Sequence, residues 1–140
     1  MNNKFRVWDG KKMWYKLQTS ENGYCRGYLL GMDGKLLWYT ISSISADGES
    51  VDPAKGEILF STGRMVKDAD GDDRELYDGD IMKWGLVAHP HLICWDKDKY
   101  RFGTRIGGGY IFPLVNSEPD EWVLLGNKYE NPELLTVAPL

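Results

Sequence analysis

The sequence is poor in the residues that build disulfide scaffolds and metal sites. Its 140 residues include two cysteines, Cys25 and Cys94, and two histidines, with no Cys-x-x-Cys pair. Two cysteines are too few for a disulfide framework, and a chain of this length does not need one. Both thiols are therefore expected to be reduced.

Long apolar runs and a surplus of positive charge are also missing. No stretch approaches the roughly 20 apolar residues that cross a bilayer, and Met1–Arg6 lacks the apolar core of a signal peptide. The net charge of −4 disfavours a dedicated binder of duplex DNA or RNA, because neutralised phosphates supply most of that affinity. These absences predict a cytosolic protein without membrane association.

Turn signals are abundant. The chain has 16 glycines, and Asp-Gly pairs begin at Asp9, Asp33, Asp47, Asp70 and Asp78, with Asn22-Gly23 in addition. Such pairs fit tight hairpin turns, because Gly adopts positive φ freely and Asx residues tolerate it. Frequent glycine also leaves no room for long helices. An all-β fold class follows.

Short aromatic and β-branched runs lie between these turns. Tyr100–Ile106 alternates with a period of two, which is typical of a half-buried strand, and Gly107–Gly109 reads as the following hairpin turn. Pro113 predicts an edge strand, and Asn131–Leu135 predicts one helical turn. Strands are predicted at residues 4–8, 12–17, 24–30, 36–42, 57–62, 80–88, 91–96, 99–106, 109–115 and 121–128, and loops at Ser42–Lys55 and Lys67–Glu75. The apolar run Leu36–Ile41 suits a strand that is covered on both faces or meets an oligomer partner.

Three segments of the chain carry distinctive motifs. The last is the most specific, Gly126-Asn127-Lys128-Tyr129-Glu130-Asn131-Pro132 within residues 125–135. The others are Lys4–Asp9 with Lys12–Tyr15, and Ile58–Gly63 continuing through Asp70, Arg74 and Glu75 to Leu76–Ile81. Together the three segments resemble the YopX family of small phage and prophage proteins. Residues 17–51 and 84–119 match the family pattern poorly.

The resemblance implies a single YopX-like domain over residues 1–140, encoded by a phage or prophage and acting in the host bacterial cytosol. Its expected fold is a small barrel, SH3-like or similar, with an added β subregion within residues 80–120. The resemblance implies no activity, catalytic residue or cofactor. We interpret the residues that these three segments share with the family as requirements of the fold rather than as parts of a common functional site.

One group of residues has the types that a metal-dependent enzyme would use. His89, His91 and Cys94 offer zinc ligands, but a closed site needs a fourth ligand. The two histidines would share a strand face and Cys94 would point to the other. Cys94 with His91 and Asp96 also has the types of a nucleophilic set, although neighbours along one strand seldom meet in that geometry. The favoured interpretation is a core cysteine beside two loop histidines.

An acidic run has some features of a calcium loop. Asp68, Asp70 and Asp72 match its start, but its sixth and twelfth positions require Gly and Glu. Here those positions hold Asp73 and Gly79. A solvated acidic turn is the better interpretation.

The clearest candidate binding residues combine aromatic rings with cations. The chain has six tryptophans and eight tyrosines, and stacked aromatics beside Arg bind single-stranded nucleic acid. The same residues also suit a β core and a protected strand face, or a protein interface. The candidates are Trp95, Lys97, Lys99, Tyr100, Arg101 and Arg105.

The sequence thus predicts an accessory protein that binds a macromolecule without catalysis and without a cofactor. Its expected partners are a second copy of itself and a host or phage protein. The alternatives are single-stranded nucleic-acid binding through residues 95–105, a metal-dependent enzyme centred on His89, His91 and Cys94, and a structural virion component.

Overall fold

A computed structural model of the chain describes residues 4–42, 50–84, 90–105, 111–113 and 122–135. Within these ranges the structure is strand throughout, apart from turns and one turn of 3-10 helix at Pro132–Leu135. This confirms the all-β class and the short C-terminal helical turn. The described residues include no helix that is long and apolar enough to span a membrane.

Thirteen strands follow one another along the described chain. They are β1 (Phe5–Trp8), β2 (Met13–Trp14), β3 (Gln18–Glu21), β4 (Tyr24–Leu30), β5 (Leu36–Ser42), β6 (Ser50–Pro53), β7 (Glu57–Asp68), β8 (Asp73–Tyr77), β9 (Asp80–Trp84), β10 (His91–Asp96), β11 (Arg101–Arg105), β12 (Ile111–Pro113) and β13 (Trp122–Asn127).

The chain divides into two compact units, and the division falls within β7. The C-terminal unit comprises residues 1–4 and 60–140, and the N-terminal unit comprises residues 5–59. In the C-terminal unit the strand order is β12-β11-β10-β9-β13-β7, with β8 also paired to β7. Its described pairs are antiparallel except for β13 with β7.

The core of the C-terminal unit lies on one face of this sheet. Its buried side chains come from five different strands, and Phe102 and Leu124 pack against them. Burying each such side chain contributes about 1.5–3 kcal/mol relative to leaving it exposed. The buried members are Val66, Leu76, Met82, Ile93 and Trp122.

The N-terminal unit contains the β1–β2 hairpin and a four-stranded sheet ordered β3-β4-β5-β6. Asn22 and Gly23 join β3 to β4 with φ angles of 52° and 80°. Positive φ at both central residues is the hairpin geometry expected of Asn-Gly, which confirms that predicted turn.

Both sheets are open rather than closed into barrels, so the expected small barrel is not the observed arrangement. Prolines mark two of the edges. Pro113 ends β12, the terminal strand of its sheet, as predicted. Pro53 ends β6, and the Ala54 N–H donates to the Leu36 carbonyl, which places Pro53 at a position that needs no donor to β5. Because proline has no N–H, it cannot donate a hydrogen bond to an additional strand at the edge of the sheet.

Three observed strands fall where none was predicted, namely β3, β6 and β8. All four residues of β3 and of β6 are exposed, so neither carries the apolar alternation on which the strand prediction relies. Their neighbours in the sheet supply the pairing instead. The predicted turn at Gly107–Gly109 lies outside the described residues, although β11 and β12 pair antiparallel as a hairpin requires.

Candidate functional site

The β10–β11 hairpin carries all the candidate binding residues. Asp96 pairs with Arg101, so residues 97–100 form the tip. The Asp96 carboxylate accepts hydrogen bonds from the N–H groups of Asp98 and Lys99, at 3.1 Å and 3.3 Å. These bonds fix the turn locally, in the way that Asx side chains commonly do.

Tyr100 closes the tip in an unusual conformation. Its φ is +53° and 82% of its surface is exposed. A bulky residue with positive φ is an outlier among L-residues, since its Cβ crowds the backbone. The tip therefore displays an aromatic ring in a strained position with little contact to offset the strain.

Strand alternation divides the other candidates between two faces. Trp95 pairs with Phe102 across the hairpin, with ring centroids 4.9 Å apart, on the face that also carries buried Ile93. Arg101 and Arg105 lie on the opposite face.

The candidates do not form one continuous surface. Lys97, Lys99, Tyr100 and Arg101 are exposed together at the tip, and Trp95 is 46% exposed beside them on its own face. Arg105 pairs with Leu92 at the far end of the hairpin, where it is half-buried. Three of the six predicted residues, Lys97, Lys99 and Tyr100, thus lie in the tip. Trp95 and Arg101 flank the tip on opposite faces, and Arg105 lies away from it.

The candidate metal ligands do not converge in the described residues. His91 is 8% exposed and its ring packs edge-on against Trp122, with centroids 5.3 Å apart. Cys94 lies on the opposite face of β10, where its thiol donates to the Gly103 carbonyl at 3.9 Å. Burial raises the pKa of the Cys94 thiol, so the less reactive protonated form is favoured. His89 lies outside the described residues.

The same opposition separates the nucleophilic set. Cys94 and Asp96 share one face of β10, whereas His91 lies on the other. The Asp96 carboxylate is occupied by the hairpin turn. A Cys-His-Asp relay therefore does not assemble along this strand.

The acidic run forms the β7–β8 turn. Carboxylate oxygens of Asp68, Asp70 and Asp72 lie within 4.8 Å of one another. One Asp68 oxygen accepts the N–H groups of Asp70 and Asp72, and the other accepts from Arg74 Nε at 2.9 Å. The Arg74 hydrogen bond, followed by that from the Asp72 N–H, lowers the pKa of Asp68. Asp68 thus acts as the capping residue of the turn.

The segments at residues 76–81 and 125–135 meet in space. Asn127 pairs with Asp80, and the Gly79 carbonyl accepts a hydrogen bond from the Lys128 N–H, which joins the two segments. The Gly79 N–H donates to the Ile93 carbonyl of β10. Gly79 has a φ of +91°, and a Cβ there would lie 2.9 Å from the Tyr129 ring. Only glycine fits this junction without a shift.

Asn127 organises the exit from β13. Its side-chain oxygen accepts the N–H groups of Tyr129 and Glu130, and its amide donates to the Glu130 carboxylate. Asn131 packs so closely on Gly126 that a Cβ there would collide with its amide. These contacts give Gly126, Asn127 and Asn131 a structural role at the end of β13.

A family model described as YopX protein matches residues 4–136. The chain belongs to the YopX protein family. No curated protein matches it. The YopX match spans residues of both units. The interpretation of a single domain over residues 1–140 stays a prediction.

The N-terminal unit contains a cluster of aromatic rings that was not predicted from the sequence. Three rings, Trp14, Tyr28 and Trp38, pack edge-to-face with centroid separations of 4.9–5.9 Å. Tyr28 and Trp38 fall within residues 17–51, which the resemblance seen in the sequence left unmatched but which the family model covers. The signal that could have revealed them is the alternation Tyr24, Arg26, Tyr28 in β4, which places the side chains on one face.

Proposed function

We propose that this YopX-family protein is a phage or prophage accessory protein that acts by binding another macromolecule rather than by catalysis. The observation that carries the proposal is Tyr100, which is both strained and exposed. The left-handed conformation costs about 1–2 kcal/mol for an L-residue, and an exposed ring recovers little of that by burial. Strain of this kind clusters at ligand contacts.

The surroundings of Tyr100 fit a contact surface. Trp95 is half-exposed on a hairpin whose base reaches the core through Ile93, so the ring is held on a rigid element. Tyr, Trp and Arg are the residue types that dominate binding energy at protein interfaces. Arg101 supplies the third of these at the tip.

Self-association belongs to the same proposal and uses a different surface. Tyr39, Ile41 and Val51 share one face of β5 and β6, and Ile41 and Val51 are 42% and 59% exposed. Exposed apolar residues in a row mark an interaction surface. A second copy of the chain is the proposed occupant, in keeping with the prediction for Leu36–Ile41.

Single-stranded nucleic acid is the second candidate partner. Lys97, Lys99 and Arg101 are exposed and lie within three residues of Tyr100, and such binding combines cations with an aromatic ring. Asp96 and Asp98 lie in the same tip and offset two of these charges. The protein partner is therefore the leading proposal.

The test is affinity capture from a host-cell lysate with and without nuclease, with three versions of the protein. The double variant Trp95→Ser/Tyr100→Ser removes both tip rings, and Tyr24→Ser removes an exposed ring of the N-terminal unit as a matched control. We expect a stoichiometric protein partner that survives nuclease, is retained by Tyr24→Ser and is lost with the double variant.

Two outcomes would overturn the leading proposal. Recovery that nuclease abolishes would favour the nucleic-acid alternative, whose affinity for a single-stranded oligonucleotide should also fall steeply with salt. Retention of the partner by the double variant would remove the tip from the interface. Self-association is tested separately by light scattering, where Ile41→Asp is expected to lower the molar mass of the assembly.

A further inference from the structure

A row of side chains crosses the four-stranded sheet of the N-terminal unit. Tyr28 pairs with Trp38, and Trp38 pairs with Asp52 on the next strand. Paired residues of antiparallel strands project from the same face with Cβ atoms about 4.5–5.5 Å apart. Two aromatic rings and a carboxylate therefore stand side by side on β4, β5 and β6.

Trp14 supports this row without joining the pocket beside it. Its ring packs edge-on against Tyr28 and Trp38. Its indole N–H donates to the Asp9 carboxylate at 2.9 Å, and Lys12 Nζ lies 4.4 Å from the ring centroid. The indole N–H and the ring of Trp14 are thus both engaged by residues of the chain itself, Asp9 and Lys12.

Tyr28 and Trp38 line an open pocket of about 320 Å³. The rest of the lining comes from the end of β6 and the residues after it, and contributes one carboxylate and one ammonium group. A shallow pocket of this volume accommodates a few residues of an extended peptide. The lining residues are Tyr28, Trp38, Asp52, Pro53, Ala54 and Lys55.

The side chains that line the pocket include three hydrogen-bond donor groups and one carboxylate. Within the described part of the chain, neither the Tyr28 hydroxyl nor the Trp38 indole N–H donates to another residue. Burial, followed by the charge of Asp9, raises the pKa of Tyr28, so its hydroxyl keeps its proton. Lys55 adds a third donor, and Asp52 is the one charged acceptor.

The charges of Asp52 and Lys55 also cancel, so the pocket favours neither a cation nor an anion as a whole. A complementary ligand is neutral, rich in carbonyl oxygens, poor in N–H groups and able to stack on aromatic rings. Proline-rich polypeptide has these properties, since proline lacks an N–H and its polyproline II conformation is preformed. Aromatic-lined grooves are the usual receptors for such segments.

We propose that the pocket formed by Tyr28, Trp38, Asp52 and Lys55 binds a proline-rich segment of a partner protein in the polyproline II conformation. Pyrrolidine rings stack on Tyr28 and Trp38, and carbonyl oxygens accept from the Tyr28 hydroxyl, the Trp38 N–H and the Lys55 ammonium. This site lies in the N-terminal unit and is separate from the hairpin tip of the proposed function.

The test is a titration of the ¹⁵N-labelled full-length protein with a synthetic oligoproline peptide, followed by two-dimensional NMR. The Trp38 indole resonance is expected to shift saturably, whereas that of Trp95 serves as an internal control and stays in place. A Gly-Ser peptide of the same length is expected to cause no shift. Absence of an oligoproline shift at Trp38 in the folded protein would overturn the proposal.

Two conservative variants sharpen the result without risk to the fold. Tyr28→Phe and Lys55→Met each remove one donor group, and each is expected to weaken oligoproline binding about 3–10-fold, the effect of losing one hydrogen bond. Tyr24→Phe, on the same strand but outside the pocket, is expected to leave the affinity unchanged. Unchanged affinity in both pocket variants would contradict the proposal.

Two further arms separate this proposal from its competitors. The Trp95→Ser/Tyr100→Ser variant is expected to bind oligoproline normally, so a failure of the hairpin-tip proposal leaves this one standing, and the reverse also holds. Tetramethylammonium chloride is expected to cause no shift at Trp38. If it bound and Asp52→Asn abolished the binding, the pocket would be a cation site and the proline assignment would be wrong.

Discussion

The two units bury their strands to different degrees. In the C-terminal unit, Leu76, Met82 and Ile93 are at most 1% exposed and come from three strands. In the N-terminal sheet, β4 and β5 have one buried residue each, Gly27 and Leu36, and the rest are half-buried or exposed. Both sheets are built mainly from antiparallel hairpins, so connectivity does not explain the contrast.

The two sheets differ in how many of their apolar side chains are removed from water. Met82 and Ile93 stabilise the C-terminal sheet by leaving water altogether, at about 25 cal/mol per Å² of apolar surface. The N-terminal sheet keeps the rings of Tyr28 and Trp38 partly in solvent, where they remain available to a ligand. Buried side chains stabilise the sheet of the C-terminal unit, whereas the half-exposed rings of the N-terminal sheet line its proposed binding pocket.

A matched pair of truncations tests whether the stability of the two sheets depends differently on buried side chains. Ile93→Ala leaves a cavity in the core and is expected to lower the free energy of unfolding by about 2–5 kcal/mol. Tyr24→Ala, at a 41% exposed position of β4, is expected to cost less than about 1 kcal/mol. Chemical denaturation followed by circular dichroism measures both, and equal losses would show that the two sheets are equally dependent on burial.

A second pair tests the glycine at the Gly79–Tyr129 junction. Gly71 and Gly79 have φ angles of +85° and +91°, but only Gly79 has a ring within reach of an added Cβ. Gly71→Ala is expected to cost about 1–2 kcal/mol for the left-handed conformation alone. Gly79→Ala is expected to cost about 1–3 kcal/mol more, because Tyr129 must move. Thermal unfolding compares the two, and similar melting temperatures would rule out the junction as a packing constraint.

The pH dependence of stability tests the contribution of the Glu75 carboxylate to the C-terminal unit. Burial by itself would raise the pKa of Glu75, but hydrogen bonds from Lys4, Ser61 and Tyr77 outweigh it and hold the pKa below its ordinary value of 4.5. A lowered folded-state pKa contributes stability that is present above the ordinary value and is lost as pH falls through the folded value.

Glu75→Gln is therefore expected to reduce the free energy of unfolding at neutral pH by about 1–3 kcal/mol. Below pH 4.5 the difference from the unmodified protein should shrink. Urea denaturation at a series of pH values measures it. A difference that stays constant down to the lowest pH would show that the Glu75 charge adds nothing to stability.

The smallest expected effect concerns Tyr100. Tyr100→Gly relieves the left-handed strain and is expected to change the free energy of unfolding by no more than about 1 kcal/mol in either direction, since glycine also gains freedom in the unfolded chain. Binding of the captured partner should nevertheless be lost. A large loss of stability would instead show that Tyr100 is a structural residue of the hairpin.

Several strands of both units could be predicted from the sequence. The strands at Tyr24–Leu30, Leu36–Ser42 and His91–Asp96 were predicted with their observed bounds, because their apolar content and the flanking turn residues are local signals. The exposed strand Ser50–Pro53 could not be predicted in the same way. Its pairing with β5 is a property of the neighbouring strand, and its own four residues carry no apolar signal.

The candidate sites divide in the same way. The hairpin tip was predictable because Trp95, Lys97, Lys99, Tyr100 and Arg101 are neighbours in sequence, although only the strand register shows that Trp95 faces away from Arg101. The pocket at Tyr28, Trp38 and Asp52 was not predictable, since its residues come from three strands separated along the chain.

By itself the sequence determined the all-β class, the Asx-Gly turn at Asn22-Gly23, and membership of the YopX family. These depend on short-range preferences, such as the tolerance of Asn and Gly for positive φ, and on motifs that read in order along the chain. The alternation expected of a strand already predicted that His91 and Cys94 lie on opposite faces, whereas the convergence of Tyr28, Trp38 and Asp52 depends on the tertiary structure. Both outcomes follow from strand pairing, because register brings distant residues onto one face and alternation sends near neighbours to opposite faces.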